Sequence, residues 1–163
     1  MQGYEVQCLS PAGFHEMHYT EWGARDNPRI VICVHGLSRN CRDFDTLAQA
    51  LENDFRVICP DIVGRGKSDW LSNKAGYVNT QYAADLTTLI ARLTADGLRE
   101  ILWVGTSMGG IIGMMLAALP NTPIRRLVLN DVGGIVPKSA IARIVAYLGK
   151  DPRFKTFKEL ELC

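Results

Sequence analysis

The sequence predicts an α/β fold: a mostly parallel sheet with an antiparallel N-terminal hairpin and helices on both faces. Three observations predict it. Short apolar runs rich in Val, Ile and Leu alternate along the chain with segments of helical period, the order expected of parallel strands joined by crossover helices. Two strands with two-residue alternation come first and close together, as in a hairpin. Residues 101–119 read directly as strand, tight turn and helix.

The elements follow in order. Residues 4–9 and 14–22 are the hairpin strands; in the second, alternation sets His15 with Met17 and Tyr19 on one face and Phe14 with Glu16 and His18 on the other, the look of an edge strand or hairpin rather than a catalytic site. Residues 29–35 form a strand whose unbroken apolar run, Ile30 to Val34, predicts burial on both faces. A helix over 43–52 and a strand over 55–60 come next. The helix over 80–95 places Tyr82, Leu86, Leu89, Ile90 and Leu93 on one buried face, with Asp85, Arg92 and Asp96 turned outward. A strand over 100–106, a helix over 108–119 and a strand over 126–130 complete the alternation, and Leu127, Val128 and Leu129 read as buried on both faces. Beyond Pro137, the residues Ile141, Ile144, Val145 and Leu148 recur at helical spacing, Gly149 is a stop signal, and a helix begins near Thr156 after Asp151 and Pro152. The chain stops at Cys163 without a capping signal or a closing strand, so it reads as interrupted.

Composition bounds the function. With 163 residues, 47% of them hydrophobic, the chain can bury a core, and its length favours one domain. A formal charge of +1 and no clustered Lys/Arg run argue against nucleic acid or an anionic membrane as partner. The N-terminus lacks the basic start and apolar core of a signal peptide, and no apolar run is long enough to span a bilayer. Five cysteines, odd in number and without C-x-x-C spacing, predict reduced thiols in the cytoplasm, with Cys33 and Cys59 inside buried strands.

The chemistry concentrates at Gly105-Thr106-Ser107-Met108-Gly109, a G-x-S-x-G turn between an apolar strand and an apolar helix. A serine on such a turn has a strained backbone and an exposed hydroxyl, and side chains at Gly105 and Gly109 would collide with the neighbouring strand and helix. The helix behind it aims free N–H groups and the positive end of its dipole at an oxyanion formed there. The competing reading is a glycine-rich turn with a surface serine. Upstream, the strand ending in His35-Gly36 turns at the sheet's carboxyl edge, where open α/β sheets bind ligands.

With these residues, the loop from Asp61 to Ser68 and the strand ending at Asn130-Asp131, the chain resembles the α/β-hydrolase family over nearly its whole length. The resemblance implies a serine nucleophile at Ser107, an oxyanion hole made by the backbone amides of Leu37 and Met108, and a supporting turn formed by His35, Gly36, Gly105 and Gly109. It implies residues 1–136 as the N-terminal part of the core and 137–163 as an incomplete lid, with the remaining lid, the triad acid and the catalytic histidine beyond this end. In the chain order of the family the base follows Ser107, and no histidine does. Asp131 is a candidate triad acid; the alternative is that the turn at Asn130 to Gly133 lines the pocket or caps the lid entry. Relatives that open epoxides or displace halide carry aspartate at the nucleophile position, so a serine there favours acyl transfer on esters, thioesters, lactones or dicarbonyl compounds.

A rival at Gly64-Arg65-Gly66-Lys67-Ser68 fails, because a phosphate-binding P-loop needs glycine where Asp61 stands and a helix from the lysine, and Arg65 and Lys67 read as solvated loop charges. No cofactor or metal is expected. Two functions remain: a serine hydrolase acting on a small ester or carbonyl substrate, of which this chain holds the nucleophile half, and a noncatalytic α/β module that binds a small ligand or a partner. The strand 127–129, expected to lack its outer neighbour, is a candidate for self-association.

Overall fold

The computed structural model describes residues 1–97, 100–145, 148 and 153–161. The stop signal expected at Gly149, the break at Asp151 and Pro152 and the end at Cys163 lie outside the described residues. Two compact units divide the chain, Met1–Val132 and Gly133–Cys163.

The first unit carries β1 (Gln2–Ser10), β2 (Gly13–Trp22), β3 (Ile30–Val34), α1 (Asp45–Leu51), β4 (Arg56–Pro60), α2 (Asn79–Leu93), β5 (Ile101–Thr106), α3 (Met108–Ala117) and β6 (Ile124–Asn130). Its six-stranded sheet has the order β1-β2-β4-β3-β5-β6. The pairs β1–β2 and β2–β4 are antiparallel; β4–β3, β3–β5 and β5–β6 are parallel. The expected α/β architecture is therefore present.

Strand alternation divides the core into two layers. Ile30, Ile32 and Val34 face one side with Ile58, where they meet Leu86, Leu89 and Leu93 of α2 and Ile112 and Leu116 of α3. Val31, Cys33, Val57 and Cys59 face the other side and meet Cys41, Phe44 and Ala48. The helix expected over 43–52 is shorter, because Cys41–Phe44 is a 3₁₀ turn that precedes α1, capped by the Asn40 side chain accepting from the Arg42 N–H.

Three expectations are corrected. The strand β2 forms the expected hairpin with β1 but is not an edge: it lies between β1 and β4, and Met17 to Glu21 are buried on both faces. The ionisable residues tolerate burial there because they meet partners: His15 Nε2 lies 3.1 Å from Asp85 Oδ2, His18 Nδ1 lies 3.1 Å from Asp61 Oδ2, and Glu21 pairs with Arg56 at 2.8 Å. Asp85 faces inward, not outward, since His15 and the Gln81 amide, 2.7 Å from its Oδ1, replace water. Finally, Leu127 and Leu129 are only partly buried and Val128 is 56% exposed, because β6 pairs with β5 alone among the described residues and packs one face on α3.

The second unit carries α4 (Lys138–Val145) and α5 (Phe157–Glu161). Pro137 opens α4 by accepting the N–H groups of Ala140 and Ile141, and Thr156 Oγ1 accepts the Glu159 N–H at the start of α5.

Candidate active site

Ser107 sits alone between β5 and α3, with φ 48° and ψ −110°. For a residue with a Cβ this conformation costs about 1–3 kcal/mol, and the surroundings hold it there. The Ser107 N–H donates to Asn130 O at 2.8 Å, while Ser107 O accepts from Gly110 and Ile111, both at 3.0 Å. A Cβ on Gly105 would lie 2.5 Å from the Gly109 carbonyl carbon, and one on Gly109 would lie 2.1 Å from Val34 O. The first turn of α3 therefore rests directly on β3 and β5, and Trp103 Nε1 ties it down by donating to Gly109 O at 3.0 Å. The Met108 and Gly109 amides head the helix, where no intrahelical acceptor exists.

The turn after β3 lies against this point. A Cβ on Gly36 would be 3.8 Å from Ser107 Cβ and 3.9 Å from Arg39 Cγ, so the turn that leads into Leu37 packs against the serine. Its supporting histidine is fully buried: His35 Nδ1–H donates to Gly36 O at 2.7 Å, and Nε2 accepts the Ile62 N–H at 3.0 Å. Burial holds its pKa below the ordinary histidine range, so the ring stays neutral and keeps one donor and one acceptor. His35 thus links the end of β3 to the loop after β4.

That loop is anchored from within. Burial pushes the Asp61 carboxyl up, yet the N–H groups of Cys41 (2.7 Å) and Lys67 (2.9 Å), with the Cys41 thiol and His18, bring it below its ordinary value. Only glycine fits at Gly66, whose φ is 55° and whose Cβ would lie 2.2 Å from Asp61 Cγ. Lys67 is exposed as expected. Arg65 is not a solvated charge: it is partly buried, and its guanidinium donates to Leu37 O (2.9 Å), Val63 O (2.8 Å) and Tyr82 Oη (3.0 Å), with Met108 Sδ at 3.9 Å. One side chain therefore touches both Leu37 and Met108.

The structure brings Ser107, Met108, Leu37, Gly36, His35, Gly105 and Gly109 together. Asp131 follows β6, the neighbour of β5, with φ 56° and an exposed side chain. His15 and His18 are not brought to Ser107; each is bonded to its own carboxylate. Two buried groups, Cys8 with His15 and Asp85, and Cys41 with His18 and Asp61, gather three metal-ligand atom types within 4.8 Å. Burial and the neighbouring carboxylate push the Cys8 and Cys41 thiols up to about 12, and both oxygens of Asp61 are occupied by hydrogen bonds. The two thiols therefore stay protonated, and the groups tie elements together through hydrogen bonds.

A profile of the family described as the alpha/beta hydrolase fold matches residues 29–153, and the chain belongs to that family. It is 58% identical over 154 residues to the 3-hydroxybutyrate-oligomer hydrolase of Cupriavidus necator, covering 94% of this chain and 52% of that protein. The crystal structure of an alpha/beta hydrolase from Novosphingobium aromaticivorans superimposes with a TM-score of 0.80 at 37% identity, over 94% of this chain and 53% of that one. A serine hydrolase-like protein of Danio rerio is 31% identical over 127 residues, 78% of this chain and 38% of its own length. The chain thus spans about half the length, or less, of these relatives. Among the described residues, no helix is long and apolar enough to cross a membrane.

Proposed function

We propose that the chain carries the nucleophile half of an esterase, with Ser107 forming an acyl-enzyme and the Leu37 and Met108 amides receiving the oxyanion. One observation carries the reading. The hydroxyl-bearing residue is held at positive φ at the head of α3, beside the Gly36 turn, by glycines that admit no side chain. An attacked carbonyl carbon would bond to Ser107 Oγ and its oxygen would take the electron pair, where helix-terminal amides stabilise it. His35, Gly36, Gly105 and Gly109 support that turn. The similarity to a 3-hydroxybutyrate-oligomer hydrolase supports a short hydroxy-acid ester as substrate.

The three histidines are engaged with Asp85, with Asp61, and with Gly36 and Ile62, so we assign the general base to residues outside this chain. Asp131 is the candidate for its acidic partner, and residues 137–163 for the start of a lid. The free state of Cys8, Cys33, Cys41 and Cys59 supports a reducing, cytoplasmic setting. The engaged histidines also favour the second reading, a noncatalytic module that binds a small carbonyl compound.

Acetylation separates the two. Without a base, an oxyanion hole alone still gives about 10³–10⁴-fold over water, and deacylation lacks the same base. Incubation with p-nitrophenyl acetate should leave one acetyl group on Ser107, located by tandem mass spectrometry and absent from Ser107→Ala. Labelling spread over lysines, unchanged in Ser107→Ala, would defeat the acyl-transfer reading.

A further inference from the structure

Beside the Leu37 turn lies a cavity of about 470 Å³, lined among others by Leu37, Arg39, Gly64, Arg65, Trp70 and Tyr77. It holds two guanidinium groups in different electrostatic states. Arg39 is exposed and its charge is answered by Asp43, with Nε–Oδ2 at 2.8 Å and NH2–Oδ1 at 2.7 Å. Arg65 is partly buried and forms no ion pair among the described residues. Four of its five donors meet neutral acceptors: two carbonyls, a phenol and a thioether. A thioether accepts weakly, so the NH2 end of the guanidinium still has donor capacity, and its full positive charge is uncompensated. The rings of Tyr82 and Tyr77, 5.0 and 5.9 Å from its centre, fix its plane without removing that charge. Partial burial strengthens the attraction for an anion relative to a solvated arginine.

We propose that this cavity is a carboxylate-binding subsite, with Arg65 as its anchor, that takes the acid end of a short ester. Three features favour a monoanion on an apolar linker. Arg65 offers a single cationic head, the cavity walls include Leu37 and the rings of Trp70 and Tyr77, and Trp70, 76% exposed, leaves its ring free to cover a ligand. The cavity shares Leu37 with the Ser107 site, and the Arg65 guanidinium contacts Met108, the residue after the serine. An ester whose far end bears a carboxylate could then be held at both ends. The placement of its scissile carbonyl at Ser107 rests on the acyl-transfer reading; the binding of the carboxylate does not.

The test uses the full chain carrying Ser107→Ala, which cannot be acylated there, titrated with monomethyl succinate and with dimethyl succinate while backbone amide and arginine Nε resonances are followed by NMR. The acid should bind about 10-fold or more tightly than the neutral diester, the difference a charge-assisted hydrogen bond makes. The shifts should centre on Leu37, Arg65 and Trp70, and the preference should shrink with added salt. In Arg65→Met it should vanish, and in Arg65→Lys part of it should return, because the charge is retained while the fork geometry is lost. Since Arg65→Met also releases the Leu37 carbonyl, the acid-over-diester preference in Ser107→Ala itself and its partial return in Arg65→Lys do not depend on that variant. Equal binding of acid and diester, binding of neither, or a preference untouched in Arg65→Met overturns the subsite. If the preference is found and Ser107 is never acetylated in the parent chain, the acyl-transfer reading fails and the subsite stands.

Discussion

Gly109→Ala tests the contact on which the Ser107 turn depends. Alanine is the better helix former by about 1 kcal/mol, so propensity alone predicts a more stable protein. The surroundings predict the reverse. The new methyl would lie 2.1 Å from Val34 O, 2.6 Å from Val34 C and 2.9 Å from His35 O, all backbone atoms of β3 and its turn, whereas ordinary contact begins at 3.4 Å. The head of α3 would have to lift from β3 by about 1.3 Å, the shortfall at Val34 O. A gap of ~0.5–1 Å already forfeits a quarter to a half of each dispersion contact, and Met108, Ile112 and Trp103 are buried around this point. Overpacking against backbone belongs at the upper end of the usual range, about 3 kcal/mol, which for a chain of this size lowers Tm by about 6–12 °C. Urea titration followed by circular dichroism and tryptophan fluorescence measures it, and in a Trp22→Phe, Trp70→Phe background the fluorescence reports on Trp103 alone, whose indole donates to Gly109 O. Ser107 acetylation should fall about 100-fold, because a displacement near 1 Å has that effect on positioned groups. A variant as stable as the parent, with unchanged acetylation, would refute the close-packed turn.

Three further outcomes are expected. Glu21→Ala leaves Arg56 buried without its carboxylate and should cost about 3–5 kcal/mol in urea titrations, whereas Glu21→Leu combined with Arg56→Met should be far milder; equal losses would mean that the ion pair is not desolvated. His35 has a folded pKa below its unfolded value of about 6.5, so its contribution is present above pH ~6.5 and is lost as pH falls toward the folded pKa; His35→Phe, which cannot titrate, should show a shallower decline in stability between pH ~7 and ~5. The exposed face of β6, with Val128 at its centre, should drive concentration-dependent association of the 163-residue chain in sedimentation velocity, and Val128→Lys should reduce it; a monomer with strongly protected 127–129 amides would exclude pairing through this edge.

The sequence was most legible where the structural requirement is local. Apolar period identifies β3, β5 and α3, and the Gly105 and Gly109 spacing identifies the turn, because steric exclusion acts between residues a few positions apart or on the next strand. What escaped depends on partners distant in sequence. Asp85 on a helix looks solvent-facing until His15, 70 positions away, is known to meet it. The apolar run in β6 looks doubly buried, although strand order leaves Val128 exposed. Arg65 looked like loop charge, since no local pattern reveals that Leu37 O, 28 residues upstream, accepts from it. The glycines flanking Arg65 were the available signal, for two positive-φ residues around one cation imply a backbone folded to aim it.

Asp61 explains why that loop can aim Arg65 at all. A carboxylate that is 1% exposed is costly to desolvate, and the cost is offset here only because His18, Cys41 and Lys67 supply hydrogen bonds from β2, from the segment after β3 and from the loop itself. Each donor lost would leave a buried charge underpaired, so the three segments are fixed together instead of independently. His35 adds a second tie between the same loop and the Gly36 turn through the Ile62 amide. The Leu37 side of the Ser107 site is therefore held by a polar network that reaches as far as β2, while the Met108 side is held by apolar and glycine packing against β3 and β5. Arg65 joins the two, which is why a single guanidinium can bear on both proposed oxyanion donors without being next to either in sequence.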